Sequence, residues 1–133
     1  MADGELPTVD DVFAIHEDIV EQYDLPPGTG RPFPRIPIES AIDDARERDD
    51  HFWRAATLLR GIANAHVFED GNKRTAYTTA RTYLSRVGKE IAPSKAQRAV
   101  VMQHFTRFDA SELATWLETG DIDEDRLREP YPD

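Results

Sequence analysis

The chain of 133 residues contains no cysteine. That absence removes disulfides, thiolate metal sites and cysteine nucleophiles from consideration. Lysine is scarce as well: Lys73, Lys89 and Lys95 are the only ones, and arginine carries most of the positive charge. No apolar run approaches the roughly 20 residues of a membrane helix. The acidic start MADGELPTVDD lacks the cationic opening of a secretory leader. A soluble, cytoplasmic protein with no membrane role is the expectation. With 26 Asp and Glu against 16 Lys and Arg, the net charge is −10. Such a surface repels a phosphate backbone, so direct nucleic-acid binding is not expected. The acidic excess runs along the whole chain, a pattern of halophilic surfaces as well as of ordinary acidic proteins.

What is present is helical patterning. Thr8, with Asp10 and Asp11 behind it, reads as a helix start, and Val9, Val12, Phe13, His16, Ile19, Val20 and Tyr23 recur at helical spacing. The run LPPGTGRPFPRIP ends that helix. Five of the nine prolines lie between Pro26 and Pro37, so an extended connection is expected there. A short helix is expected around residues 39–48. Asp49 or Asp50 then caps HFWRAATLLRGIANAH, in which Phe52, Ala55, Ala56, Leu59, Ile62 and Ala63 form one apolar stripe. Ala76, Ala80, Tyr83, Leu84 and Val87 mark another helix, stopped by Gly88. A helix from about Ser94 to Phe105 follows. Asp109 with Glu112 three residues on opens a last one that ends at Gly120. The charged stretch 121–133 reads as a loosely held tail. With no repeat and no linker, the expectation is one compact all-α domain of about six helices, its core spanning about 8–120.

The stretch HVFEDGNKR, residues 66–74, joins two of these helices, and its parts suit phosphate chemistry. A Gly71-Asn72 turn permits positive φ, so that consecutive N–H groups converge. The helix that starts there adds its positive dipole end and unpaired donors. Lys73 supplies a point charge and Arg74 a planar fork. Asp70 is placed to hold Mg²⁺ bridging phosphate oxygens. His66 is the group at the turn able to take a proton near neutral pH, and Phe68 is expected to point inward and fix the loop. Each feature alone has a plainer reading: a histidine at a helix end, a common turn, solvated charge. A transition-metal site on His66 and Asp70, spaced i,i+4, is a lesser alternative without further ligands nearby in sequence.

HVFEDGNKRTA resembles the HxFx(D/E)GNxR signature of the Fic/Doc family, and Lys73 followed by Thr75-Ala76 is the form of its Doc (death-on-curing) branch. The LLRGIANAH run before the motif and the TYLSRVGKEI run after it fit the same pattern, so the likeness spans roughly residues 8–118. The resemblance implies a Fic/Doc-like helical bundle with a Pro-rich flap loop. It implies His66 as general base on a target hydroxyl, Phe68 as anchor of the loop and Asp70 as Mg²⁺ ligand. Gly71, Asn72 and Lys73 become the anion hole, with Arg74 on the nucleotide phosphates and Phe33, Arg35 and Ile36 on the flap that holds a target peptide.

Members of the Doc branch transfer the γ-phosphoryl group of ATP to a translation elongation factor, and a separate antitoxin protein restrains them. The expectation is therefore an ATP- and Mg²⁺-dependent protein kinase acting as a toxin. A Fic-like adenylyltransferase, transferring AMP, is the rival. Lys73 in place of a glycine and Tyr77 in place of a second arginine oppose it. A catalytically silent nucleotide-binding module is the third reading, opposed by the intact His-Asp-Asn-Lys-Arg set. No inhibitory [ST]xxxE[GN] motif is apparent. Arg60 reads as a solvated helix face, and Trp53 and Trp116 as packing residues.

Overall fold

A computed structural model describes residues 6–128. Seven α-helices follow one another: α1 (Val9–Tyr23), α2 (Arg35–Arg46), α3 (His51–Ala65), α4 (Asn72–Arg86), α5 (Lys95–Gln103), α6 (Ala110–Thr119) and α7 (Glu124–Arg128), with a 3-10 turn at Phe105–Arg107 between α5 and α6. Among the described residues there is no strand, only one isolated bridge.

Helix α3 is the axis of the molecule, in contact with α2, α4 and α6. Its sequence explains this position. Ala55, Ala56, Leu58, Leu59 and Ile62 are wholly buried, so apolar surface faces more than one neighbour. Gly61 lets α2 approach: a Cβ there would stand 2.7 Å from that of Ala41. Asp50 caps α3 by accepting from the Trp53 N–H. Trp116 is fully buried and Trp53 half-buried, both in packing roles.

Helix starts follow the side-chain signals. Thr8 and Asp11 form a reciprocal capping box on α1, and Asp109 and Glu112 form another on α6. Helix α4 ends where Gly88, at φ 75°, turns the chain and Lys89 N–H reaches back to the Leu84 carbonyl.

Two expectations need correction. Helix α2 starts at Arg35, four residues before the expected 39, so Arg35 and Ile36 belong to its first turn and not to an extended flap. Pro37 does not prevent this, because first-turn N–H groups have no intrahelical partner to lose. The segment after residue 120 is tied down through 128. Arg126 bridges Glu112 and Asp123, and Ile122 and Leu127 pack against the core. Residues 129–133 of the expected tail lie outside the described residues.

Candidate functional site

Helix α3 ends at His66, and α4 begins at Asn72, so the motif is the loop between the central helix and its principal neighbour. His66 adopts left-handed backbone angles, φ 47° and ψ 45°. For an L-residue this costs about 1–2 kcal/mol, and such strain persists only where neighbours hold it. They do. Arg31 Nη1 donates to the carbonyl of Ala65 at 2.7 Å. Gly30 N–H donates to Val67 O at 2.8 Å, and Glu69 N–H to Gly28 O at 3.1 Å, so residues 28–30 lie antiparallel against 67–69. The His66 side chain is exposed at this helix end.

Phe68 is buried. Its ring stacks on His16 of α1 with centroids 3.7 Å apart and meets Phe13 edge-on at 5.2 Å. The Asn72 amide closes the loop from the other side: its oxygen accepts from Phe68 N–H at 3.0 Å and its nitrogen donates to Phe68 O at 2.9 Å. That side chain is committed to the loop, which leaves the backbone N–H as the part of Asn72 available to an anion hole. Asp70 is exposed, and one of its carboxylate oxygens accepts from Gly71 N–H at 2.7 Å. Gly71 has φ 80°, and a Cβ there would stand 3.2 Å from Leu25 Cδ1. Both conditions favour glycine.

The N-terminus of α4 carries no side-chain cap. The first helical bond is Thr75 N–H to Gly71 O, so the N–H groups of Asn72, Lys73 and Arg74 precede the ladder. Lys73 and Arg74 are exposed beside them, with the Arg74 guanidinium 3.9 Å above the Tyr23 ring. Both cations line a groove of about 710 Å³ between α1, α4 and α5, which Tyr77, Arg81 and Arg98 continue. Tyr77 is buried, its hydroxyl has no hydrogen-bond partner among the described residues, and the Arg98 guanidinium lies 5.6 Å above its ring. Burial pushes the Tyr77 hydroxyl above its ordinary pKa, against the pull of the charges on Arg98 and Arg81.

Among the described residues no three His, Cys, Asp or Glu side chains cluster as a metal cage. The donor set does not fit a resident transition metal on His66 and Asp70. It fits an ion held by one carboxylate together with phosphate oxygens and water, the usual habit of Mg²⁺.

The flap residues are divided. Phe33, at φ 52°, and Ile36 are strongly exposed large apolar side chains, whereas Arg35 pairs with Asp10 of α1. Arg60, expected in solvent, donates to Phe108 O at 2.7 Å and joins α3 to the start of α6. Sequence reasoning missed Arg31 and the Arg81–Arg98 side of the groove. No local pattern marks them, since their partners lie on other elements. His16 was visible only as one member of an apolar stripe.

The family model described as Fic/DOC family matches residues 6–84, which run from the start of the described chain through most of α4. Over 91 residues, covering 64% of this chain and 70% of the relative, the sequence is 31% identical to a protein named protein kinase doc from Escherichia phage P1.

Proposed function

Because the chain belongs to the Fic/DOC family, we propose that it is a Doc-type protein kinase that moves the γ-phosphoryl group of ATP to a hydroxyl of a target protein. The observation that carries this reading is the motif loop itself. It places the His66 imidazole at one helix end and an uncapped helix N-terminus with Lys73 and Arg74 at the other, only six residues on.

In this reading His66 takes the proton of the target hydroxyl as that oxygen bonds to the γ-phosphorus. The bond from γ-phosphorus to the bridging oxygen breaks, and ADP leaves. The backbone N–H groups of Asn72 and Lys73 and the side chains of Lys73 and Arg74 hold the phosphate oxygens. Asn72 serves through its backbone, since its amide is committed to Phe68. Asp70 would hold a Mg²⁺ ion through its carboxylate, and that ion would supply neutralisation of phosphate charge. The exposed Phe33 and Ile36 suit contact with the target. Biologically, the reading is a toxin that blocks translation by modifying an elongation factor and is restrained by a separate antitoxin in the cytoplasm.

Adenylylation is the second reading, and one observation favours it. Tyr77 occupies the place of the family's second arginine, yet Arg98 from α5 brings a guanidinium over that ring. Label transfer separates the two. The protein, incubated with a translation extract, should label a target from γ-labelled ATP and not from α-labelled ATP, and mass spectrometry should find an added phosphate. An added AMP on the wild-type reaction would overturn the proposal. His66→Ala should lower the rate by roughly 10²–10⁴ and abolish growth arrest on expression. Lys73→Gly should lose most of the transfer, by about 3 kcal/mol of transition-state stabilisation if it acts as a lost oxyanion donor does. Full toxicity of His66→Ala at matched protein level would remove His66 from the catalytic role.

A further inference from the structure

The ring of His16 is almost wholly buried on α1, 54 positions in sequence from the residue it contacts most closely. Its Nε2 lies 2.9 Å from the Asp70 carbonyl, which can only accept, so Nε2 carries a proton and donates. One face of the ring is stacked parallel to Phe68. A Cβ on Gly71 would stand 3.7 Å from His16 Cδ2, so the same ring also borders the turn glycine. Filling an apolar slot against Phe68 needs only an aromatic ring. A donor at the far edge of that ring serves the loop.

The consequence follows from peptide planarity. The Asp70 carbonyl and the Gly71 N–H belong to one rigid plane and point in opposite directions across it. Fixing the carbonyl from α1 therefore fixes where the N–H points, and that N–H donates to the carboxylate of Asp70 at 2.7 Å. We infer that His16 is a positioning residue: through the peptide plane between Asp70 and Gly71 it sets the direction of the Asp70 carboxylate and of the turn into α4. The inference rests on the reading of Asp70 as the side chain directed at Mg²⁺.

The test uses the full chain and two substitutions. His16→Phe keeps the ring and its burial and removes the donor, whereas His16→Gln restores an N–H at the reach of Nε2. In the metal-free protein, water exchange of the Gly71 amide measured by NMR should accelerate at least tenfold in His16→Phe, with core amides of α3 unchanged, and return toward wild type in His16→Gln. In the transfer assay the Mg²⁺ concentration for half-maximal rate should rise fivefold or more in His16→Phe and recover in His16→Gln, while the KM for ATP at saturating Mg²⁺ stays within twofold. In the wild type, the His16 Nε2–H should appear as a slowly exchanging imidazole resonance, which needs no variant to fold. The inference is overturned if that resonance is absent. It is also overturned if Gly71 exchange is unchanged in His16→Phe, or if all amides accelerate together and glutamine rescues nothing, which is the behaviour of a packing residue. A wild type that transfers no phosphate removes the proposed activity, and the exchange and resonance measurements still decide the positioning role of His16.

Discussion

The Asn72 side chain separates holding a loop from holding a ligand. Its amide makes two bonds to the backbone of Phe68 across four residues, at 3.0 and 2.9 Å, and so shapes the turn that presents Asp70 and Gly71. Removing it leaves a half-buried backbone N–H and carbonyl without those partners, at about 1–3 kcal/mol for an orphaned group. Asn72→Ala should lower stability by that amount in urea unfolding. It should also cost more activity than Arg74→Ala, because a displaced loop misplaces several groups and a lost arginine removes one. An Asn72→Ala protein with wild-type activity and lower stability would show that the turn survives without its clamp. At Gly71 the demand is conformational, with φ at 80°; a Cβ 3.2 Å from Leu25 Cδ1 would ask only a small shift of that side chain.

Helix ends carry much of the local specification. The carboxylates of Asp11 and Asp109 are held below their ordinary value of 3.8, in each case chiefly by a backbone N–H: that of Thr8 for Asp11 and that of Glu112 for Asp109. A lowered carboxylate pKa means stability that is present above 3.8 and lost as pH falls through the lowered value. Asp109→Ala should therefore cost about 1 kcal/mol at pH 7 as a lost N-cap, and its gap from wild type should narrow below about pH 4 as the native carboxylate protonates. Urea unfolding at both pH values measures this, and an equal gap at both would sink the account. The connection between α1 and α2 shows a different logic. Its prolines leave few donors, yet Gly30 N–H, Gly28 O and Arg31 Nη1 all bond the motif loop or its helix end. This connection braces the site on one side while exposing Phe33.

Charge acts on the scale of the whole molecule. The net charge of −10 makes the folded chain repel itself, whereas Lys73, Arg74, Arg81 and Arg98 gather along one groove. A local cationic groove in an acidic shell favours anionic ligands there and disfavours them elsewhere. Raising ionic strength from about 0.1 M to about 1 M shortens the screening length from about 10 Å to about 3 Å. The melting temperature should rise with salt as self-repulsion is screened, and binding of an anionic ligand in the groove should weaken over the same range. A melting temperature that falls steadily with added KCl would mean that the attractive pairs outweigh the repulsion. The ion pairs visible among the described residues are mostly exposed and contribute little each.

The sequence by itself determined the helical class, the caps of α1 and α6, the cap of α3 to within Asp49 or Asp50, the stop at Gly88 and the identity of the motif loop, because these depend on residues within a few positions of one another. It missed the start of α2, since Pro37 reads as a breaker until its place in the first turn is known. It missed the closing of 121–128 onto the body, since charged residues there find partners on the 3-10 turn and α6. At the site it supplied the names His66, Asp70, Lys73 and Arg74 but not what orients them. His16 reaches Asp70 from α1, Arg31 reaches the end of α3 from the connection, and Arg98 covers Tyr77 from α5. Those contacts join residues 21 to 54 positions apart. Only tertiary packing brings them within reach, because a hydrogen bond or ring contact spans a few ångströms and local periodicity carries no record of such a partner.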